Sequence, residues 1–405
     1  MREITLISFL GSDQPNLVHR LVQILSHHSL HILDMRQAVV YDQLSLGIVV
    51  TAENATHIEL AMKELLILAH EIDLTVRLQP ICNAEDAAWQ EKFAASNYVV
   101  TGLAPKLNGT QLHALTQAVA AQGLKIDQIR CLSESFASNA AQSPACIELK
   151  VTGQVVDLAE LRQAYLALGN QFGLDISIQD NDIYRSQRRL ICFDMDSTLI
   201  GQEVIDELAR EAGVGEQVAE ITERAMQGEL DFQQSFRARV ALLKGLDAHV
   251  LPQIAERLTI NEGAERLIST LKALGYHTAI FSGGFQYFAE YLQQKLGIDE
   301  VHANQLDVCD GKVTGEVTGQ IVDAARKAEL LQSLAHKLDI SLAQTVAVGD
   351  GANDLAMLAK AGLGVAYKAK PLVRQTAEHA IAQVGLDGVL YLLGLSDQEI
   401  QTLAR

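Results

Sequence analysis

The sequence has few cysteines, few prolines, one tryptophan and no basic block. Its five cysteines, Cys82, Cys131, Cys146, Cys192 and Cys309, are odd in number and scattered, with no C-x-x-C pair. That argues against a disulfide framework or a thiolate zinc site and reads as the reduced thiols of a cytoplasmic protein. No apolar run approaches the roughly 18 residues of a membrane span. The opening ten residues soon meet Gly11 and Asp13 and make a poor secretory signal. Lys and Arg number 32 against 50 Asp and Glu, a net charge of −18 spread over both halves. Nucleic acid and anionic membranes are therefore not expected as partners. What is present is ordinary globular material, 48% apolar and 20% charged, which rules out wholesale disorder. At about 150 residues per domain, 405 residues make two to four domains.

The first 80 residues alternate between strand and helix patterns. Ile4–Phe9 reads as a strand closed by the turn Gly11-Ser12-Asp13-Gln14-Pro15, and Leu17, Leu21, Ile24 and Leu25 follow at helical spacing. Strands over 34–40 and 45–51, a helix over 57–70 and a strand over 73–78 complete a β-α-β-β-α-β order, which is ferredoxin-like. The pattern then repeats. His19, Leu21 and Gln23 fall in register with His113, Leu115 and Gln117, a shift of 94 residues. Between the units, 84–95 reads as a helical connector carrying Trp89, and 133–144 as a polar loop.

After Arg188 the pattern changes. Leu190–Phe193 is an apolar strand running straight into Asp194, and further apolar runs at 277–281, 345–348 and 363–366 alternate with helix patterns. This predicts a parallel sheet with crossover helices. A helical insert over about 204–260 is too long for a crossover and predicts a cap above the sheet's carboxyl edge. The expected boundaries are 1–82 and 96–182 for the two small domains and 186–405 for the third.

Four segments of the third domain carry chemistry. Asp194-Met-Asp196-Ser-Thr198 places two carboxylates at a strand end, where they can hold Mg²⁺ through hard oxygens while one attacks phosphorus. Ser282-Gly283-Gly284 offers a hydroxyl and N–H groups to a phosphate between a strand and a helix. Lys327 opens a later helix, and Gly349-Asp350-Gly-Ala-Asn353-Asp354 is an acidic turn at another strand end. Each alone has an ordinary reading as a surface turn, a glycine corner or a solvated lysine. Their order along the chain is what distinguishes them.

Together these segments resemble the four motifs of the haloacid dehalogenase superfamily of phosphatases. Glu203, the Ile221–Glu229 segment and Asp231–Val240 narrow the resemblance to the branch that hydrolyses O-phospho-L-serine to L-serine, the last step of serine synthesis. The two leading units are similar to ACT domains. The implied architecture is α/β, a Rossmann-like parallel sheet with a helical cap behind two ferredoxin-like ACT-type domains. The resemblance implies Asp194 as nucleophile, Asp196 as acid and then base, and Mg²⁺ held by Asp194, Asp350 and the backbone carbonyl of Asp196. It gives the phosphoryl group to Ser282 and Lys327. Glu203 would hold the substrate ammonium and Arg239 its carboxylate, with Gly283 and Asn353 adding hydrogen bonds and Phe232 closing over the ligand. Thr198 and Asp354 would organise the site.

The loop carrying Gly11, Asp13 and Asn16 resembles an ACT ligand loop, although Asn16 stands where glycine is frequent. It implies an amino-acid effector, L-serine first, and a homodimer. The second unit lacks the acid, having Gly102-Leu-Ala-Pro105 instead. The His27, His28 and His31 cluster reads as a polar helix end or a metal site. Competing readings are a phosphotransferase or phosphatase for another small ester, or an amino-acid-sensing protein on an inactive scaffold.

Overall fold

The computed structural model describes residues 3–82, 84–85, 98–134, 144–155 and 157–403. Trp89 with most of its connector, and most of the polar 133–144 loop, lie outside them. Two compact units are present, Met1–Ala95 and Ser96–Arg405.

The first unit is one module: β1 (Glu3–Ser12), α1 (Leu17–His27), β2 (His31–Val40), β3 (Gln43–Ala52), α2 (Ala55–Glu71) and β4 (Thr75–Ile81). Its sheet is antiparallel in the order β2-β3-β1-β4. Alternation decides which face is buried. Ile7 and Phe9 of β1 and Leu44, Leu46, Ile48 and Val50 of β3 face both helices and form the core with Leu21, Leu25 and Leu65.

The second unit starts with the same topology: β5 (Tyr98–Ala104), α3 (Gly109–Ala121), β6 (Lys125–Cys131), β7 (Ala145–Thr152), α4 (Leu158–Phe172) and β8 (Asp175–Asp180), in the order β6-β7-β5-β8. The Asn108 side chain accepts from Gln111 N–H while the Gln111 side chain takes the Asn108 N–H, a reciprocal cap that fixes the start of α3.

The rest of this unit is a seven-stranded sheet. It contains β9 (Leu190–Phe193), β10 (His277–Phe285), β11 (Glu300–Cys309), β12 (Lys312–Thr318), β13 (Thr345–Gly349), β14 (Leu363–Tyr367) and β15 (His379–Ile381), in the order β12-β11-β10-β9-β13-β14-β15. The pairs from β11 to β15 are parallel, but β12 runs antiparallel on the edge. The expected parallel sheet is thus present, and β12 adds an antiparallel edge strand to it. Asp310 and Gly311, both at positive φ (51° and 75°), make the tight turn joining β11 to β12. An Asp-Gly pair is the residue signal for such a hairpin.

The insert forms α5 (Val204–Glu211), α6 (Gly215–Met226), α7 (Phe232–Ala241) and α8 (Val250–Arg257). A bridge between Ile200 and Ile260 closes its base. The hairpin supports it from the side through Gly245 N–H to Val313 O and Ala248 N–H to Gly311 O, both 2.8 Å. Crossovers α9 (Ala264–Ala273), α10 (Gln286–Leu296), α11 (Ala324–Lys337), α12 (Leu355–Lys360) and α13 (Pro371–Thr376) cover the sheet, and α14 (Gly388–Leu392) and α15 (Asp397–Leu403) end the chain's described part. Strand order reverses between β10 and β13 around β9, so their carboxyl ends open one crevice, the place where such sheets bind ligands.

The second module packs its outward sheet face on this domain. Thr101, Leu103, Cys146, Glu148, Ser177 and Gln179 are all buried. Gln179 Nε2 donates to Leu392 O at 3.0 Å. Asp175 accepts from the N–H groups of Ala382 and Gln383 at 2.9 and 2.8 Å. The fully buried Glu148 pairs with Arg185 Nη2 at 2.6 Å.

Candidate active site

β9 delivers Asp194 to the crevice, and the chain leaves extended geometry at once: Asp194 N–H still bonds Val348 O at 2.9 Å, while Leu199 N–H turns back to Met195 O. Asp194 Oδ1 accepts from Met195 N–H at 2.7 Å and lies 2.8 Å from Lys327 Nζ. Lys327 projects from the first turn of α11, behind the Asp323 cap. It is 0% exposed and its Nζ also reaches Asp354 Oδ1 at 2.6 Å. Desolvation of Lys327 is outweighed by Asp194 and Asp354, which hold its ammonium above the usual lysine range.

The carboxylates of Asp194, Asp350 and Asp354 offer oxygens all within 4.8 Å of one another. Thr198 Oγ1 donates to Asp350 Oδ1 at 3.1 Å. Burial, then repulsion from Asp354, pushes Asp350 up to about 6. Burial, then the same neighbour, pushes Asp194 well above its ordinary value despite Lys327. Three hard oxygen donors crowded around one lysine suit a divalent cation, which would relieve that repulsion. Asp354 is the most committed of the three, since its Oδ2 also takes the Gly351 N–H at 3.0 Å. A Cβ on Gly349 would sit 2.4 Å from the Asp354 carboxyl carbon, so the strand end must be glycine for this carboxylate to fold back.

The Asp196 carboxylate lies outside that trio and points to the cap side, accepting from Val204 N–H at 3.3 Å. Desolvation, then Glu203, then Asp194 raise its proton affinity well above a normal carboxyl. An acid that keeps its proton beside an ionised partner can protonate a leaving group. Gly284 gives it room, since a Cβ there would come within 2.7 Å of Asp196 Oδ2.

Glu203, at the start of α5, accepts from Ser197 Oγ at 2.8 Å. Arg239, on α7, donates from Nε to Ser235 O at 3.4 Å and forms no ion pair among the described residues. Desolvation lowers its pKa, and Glu203 is the strongest charge opposing that. The two opposite charges are thus close enough to interact without closing on each other. Phe232 stacks on Phe236 at 5.9 Å, and its ring edge lies 3.1 Å from where a Gly283 Cβ would be.

Ser282 sits inside β10, which runs on to Phe285, so the glycines belong to the strand's end and α10 begins only at Gln286. The strand therefore extends past the apolar run 277–281, and the Ser282-Gly283-Gly284 segment expected between strand and helix lies within it. Its hydroxyl oxygen accepts from Gly284 N–H at 2.9 Å, and Ser282 is fully buried. Asn353 is half-buried beside Gly351 on the acidic turn.

Two positioning residues have no motif to reveal them. Asn304 donates to Gly283 O and accepts from Val322 N–H, both at 2.8 Å, tying β10 to the segment before α11. Asn261 Nδ2 reaches the carbonyls of Thr198 and Ile200 at 2.8 and 3.2 Å and pins the turn after Asp196.

In the first module, Gly11 has φ +155° and packs on Asp73 and Leu74, Asn16 starts α1 at φ 62°, and Asp13 is exposed. His28 Nε2 lies 3.1 Å from Glu64. His27 and His31 are exposed.

Residues 191–359 match the haloacid dehalogenase-like hydrolase family and residues 3–79 the ACT domain family. The chain is 39% identical to a phosphoserine phosphatase of Streptomyces coelicolor over 98% of this chain and 93% of that one. It is 36% identical to phosphoserine phosphatase SerB2 of Mycobacterium tuberculosis, over 98% and 94% of the two chains. The crystal structure of a probable phosphoserine phosphatase from Vibrio cholerae, unliganded, is similar with a TM-score of 0.59 and 37% identity, covering 76% of this chain and 89% of that one.

Proposed function

The chain belongs to the phosphoserine phosphatases within the haloacid dehalogenase-like hydrolases, and from that premise we propose how its own residues divide the hydrolysis of O-phospho-L-serine to L-serine and phosphate. The observation that carries the assignment is Lys327, buried and held between Asp194 and Asp354 at the mouth of the central strands.

Asp194 is the nucleophile. Both of its contacts fall on Oδ1, so Oδ2 is the oxygen free to attack phosphorus and form an aspartyl-phosphate. The P–O bond to the serine oxygen breaks as Asp196 gives that oxygen its proton. In the second half, Asp196 takes a proton from water, whose oxygen attacks phosphorus and releases phosphate and the Asp194 carboxylate. Lys327 and Ser282 hold phosphoryl oxygens, where charge sits in a loose transition state. Asp194 and Asp350 with the carbonyl of Asp196 would hold a divalent metal, for which we propose Mg²⁺; when bound it supplies Lewis-acid charge against the phosphate.

Arg239 grips the serine carboxylate and Glu203 the ammonium, with Gly283 and Asn353 adding hydrogen bonds and Phe232 covering the ligand. Their separation without an ion pair supports this division, because a zwitterion can bridge them. Thr198 and Asp354 position Asp350 and Lys327. Phosphate release from O-phospho-L-serine and phosphoethanolamine, with Mg²⁺ and with chelator, tests the scheme. Arg239→Ala should cut phosphoserine turnover while largely sparing the ester without a carboxylate. Equal losses on both would remove Arg239 from substrate recognition.

For the loop with Gly11, Asp13 and Asn16 we propose an L-serine effector site in a homodimer, supported by the match of residues 3–79 to the ACT family. Calorimetry with L-serine and sedimentation of Asp13→Ala against the parent test both parts. A cytoplasmic location is consistent with five free cysteines and with no described helix long and apolar enough to cross a membrane.

A further inference from the structure

Ser197 follows Asp196 in a conformation that a serine seldom adopts: its φ is 57°, in the left-handed region. The turn there is held by backbone bonds that any residue but proline could make. Ser197 N–H donates to Gln202 O at 3.3 Å, and Ser197 O accepts from Asn261 Nδ2 at 3.4 Å. Glycine would suit that geometry better, so a side chain at this position calls for a use. The Ser197 hydroxyl donates to Glu203 Oε1 at 2.8 Å.

Glu203 has two other places to go. It stands directly before α5, where a side-chain oxygen commonly accepts from the N–H groups of the first turn. Glu203 makes no such bond, and the Val204 N–H goes to Asp196 Oδ1 instead. The second place is Arg239, whose guanidinium lies in the field of Glu203 while its Nε donates to Ser235 O. Glu203 is exposed. An exposed glutamate with nothing to hold it spreads over several rotamers, and an opposite charge nearby draws it into a pair. Such a pair would close the gap between the two groups and take from each the atoms that a substrate needs.

We propose that Ser197 is a positioning residue for substrate recognition, its hydroxyl anchoring Glu203 so that the gap to Arg239 stays open for a zwitterion. The hydroxyl occupies Oε1 and leaves Oε2 to meet the ammonium. The inference rests on the assignment of Glu203 to the substrate ammonium.

The test is steady-state kinetics of the full-length enzyme with Mg²⁺, comparing KM for O-phospho-L-serine with the inhibition constant of inorganic phosphate. Phosphate fills the phosphoryl site and has neither ammonium nor carboxylate. Ser197→Ala and Ser197→Gly both remove the hydroxyl, and the glycine also relaxes the backbone. Each should raise the phosphoserine KM by about tenfold, the effect of losing one hydrogen bond to a charged group. Inhibition by phosphate should stay within about twofold of the parent, and kcat should change less than KM. Glu203→Gln should raise KM at least as much, and adding Ser197→Gly to it should do little more, because the hydroxyl acts only through the carboxylate. Should Ser197→Ala fold poorly at its positive φ, Ser197→Gly carries the comparison. A parental KM in Ser197→Gly beside an impaired Glu203→Gln would overturn the anchoring role and leave the ammonium assignment standing. Equal losses in KM and in phosphate inhibition on changing Ser197 would make it a support of the catalytic turn and would also overturn the proposal. A Glu203→Gln variant that shifts both constants equally, or neither, would remove the ammonium assignment itself, and this inference with it.

Discussion

The two ferredoxin-like modules have one topology and opposite surroundings on the outward face of the sheet. In the first, a row across the strands runs Arg36, Gly47, Ser8 and Arg77, exposed at both ends and half-buried between. In the second, a row runs Arg130, Glu148, Thr101 and Ser177, with the last three buried. The first module meets the ordinary rule for an antiparallel sheet, one face on its helices and one in solvent. The second has helices on one side and the catalytic domain on the other. Its polar outward residues became buried, and three of them pair across the seam: Glu148 with Arg185, Ser177 Oγ at 2.9 Å from His379 Nδ1, Gln179 on Leu392 O; Thr101 Oγ1 has no hydrogen-bond partner among the described residues. Topology does not decide what a module is for. The partner on its second face does.

Truncation breaks the comparison most severely. Removing residues 1–95 should leave catalytic turnover and the melting of the remaining unit nearly unchanged. Removing residues 1–185 uncovers the seam and should lower the melting temperature on the order of 15 °C, more than any single substitution there. Calorimetric melts with phosphate release at 25 °C on both truncated proteins decide it. Similar behaviour of the two would show that the modules are equivalent additions.

The next effect in size is at the buried pair. Glu148→Ala leaves Arg185 buried without its carboxylate and should cost about 3–5 kcal/mol in denaturant unfolding. A loss under about 1 kcal/mol would mean that the seam is wetter than the burial of Glu148 indicates.

A smaller effect concerns pH. Burial lowers His379 to about 3 from 6.5, so the folded protein binds fewer protons than the unfolded chain between those values. Its contribution to stability is therefore lost as pH falls below about 6.5. Burial raises Asp175 to about 6 from 3.8, so the folded protein binds more protons in that window. This contribution runs the other way, greatest at low pH and lost as pH rises toward about 6. Over most of the acid range the two oppose each other. Asp175→Asn should expose the histidine, its stability falling relative to the parent by at most about 1.4 kcal/mol per pH unit on acidification. Melts of parent and variant between pH 4.5 and 6.5 measure the difference; parallel curves would show that Asp175 titrates normally.

The smallest expected effect is the control. Ser45→Ala on the exposed face of the first module should change stability by no more than about 0.5 kcal/mol, as read from the same unfolding curves.

The catalytic motifs were legible because local geometry makes them so. An apolar strand such as Leu190–Phe193 must be buried, so the acid that follows it must emerge at a sheet end, and the same holds for Val348 before Asp350. Lys327 was legible only through its place in a motif order, since a helix lysine is ordinarily solvated. Asn261 and Asn304 were not legible at all. Each acts on backbone groups far away in sequence, through contacts that leave no spacing to read.

By itself the sequence determined the order of elements, the inward face of each module and which short segments carry the acids, the serine and the lysine of the candidate site, because those follow from period, capping and residue chemistry along short stretches of chain. Tertiary structure alone decided the protonation and pairing of the site and the fate of the second sheet face. Glu148, Ser177 and Gln179 alternate with apolar neighbours as solvent-facing residues do. Whether such a face meets water depends on surface supplied by residues some 200 positions away, such as His379 and Leu392, and no local pattern encodes that distance.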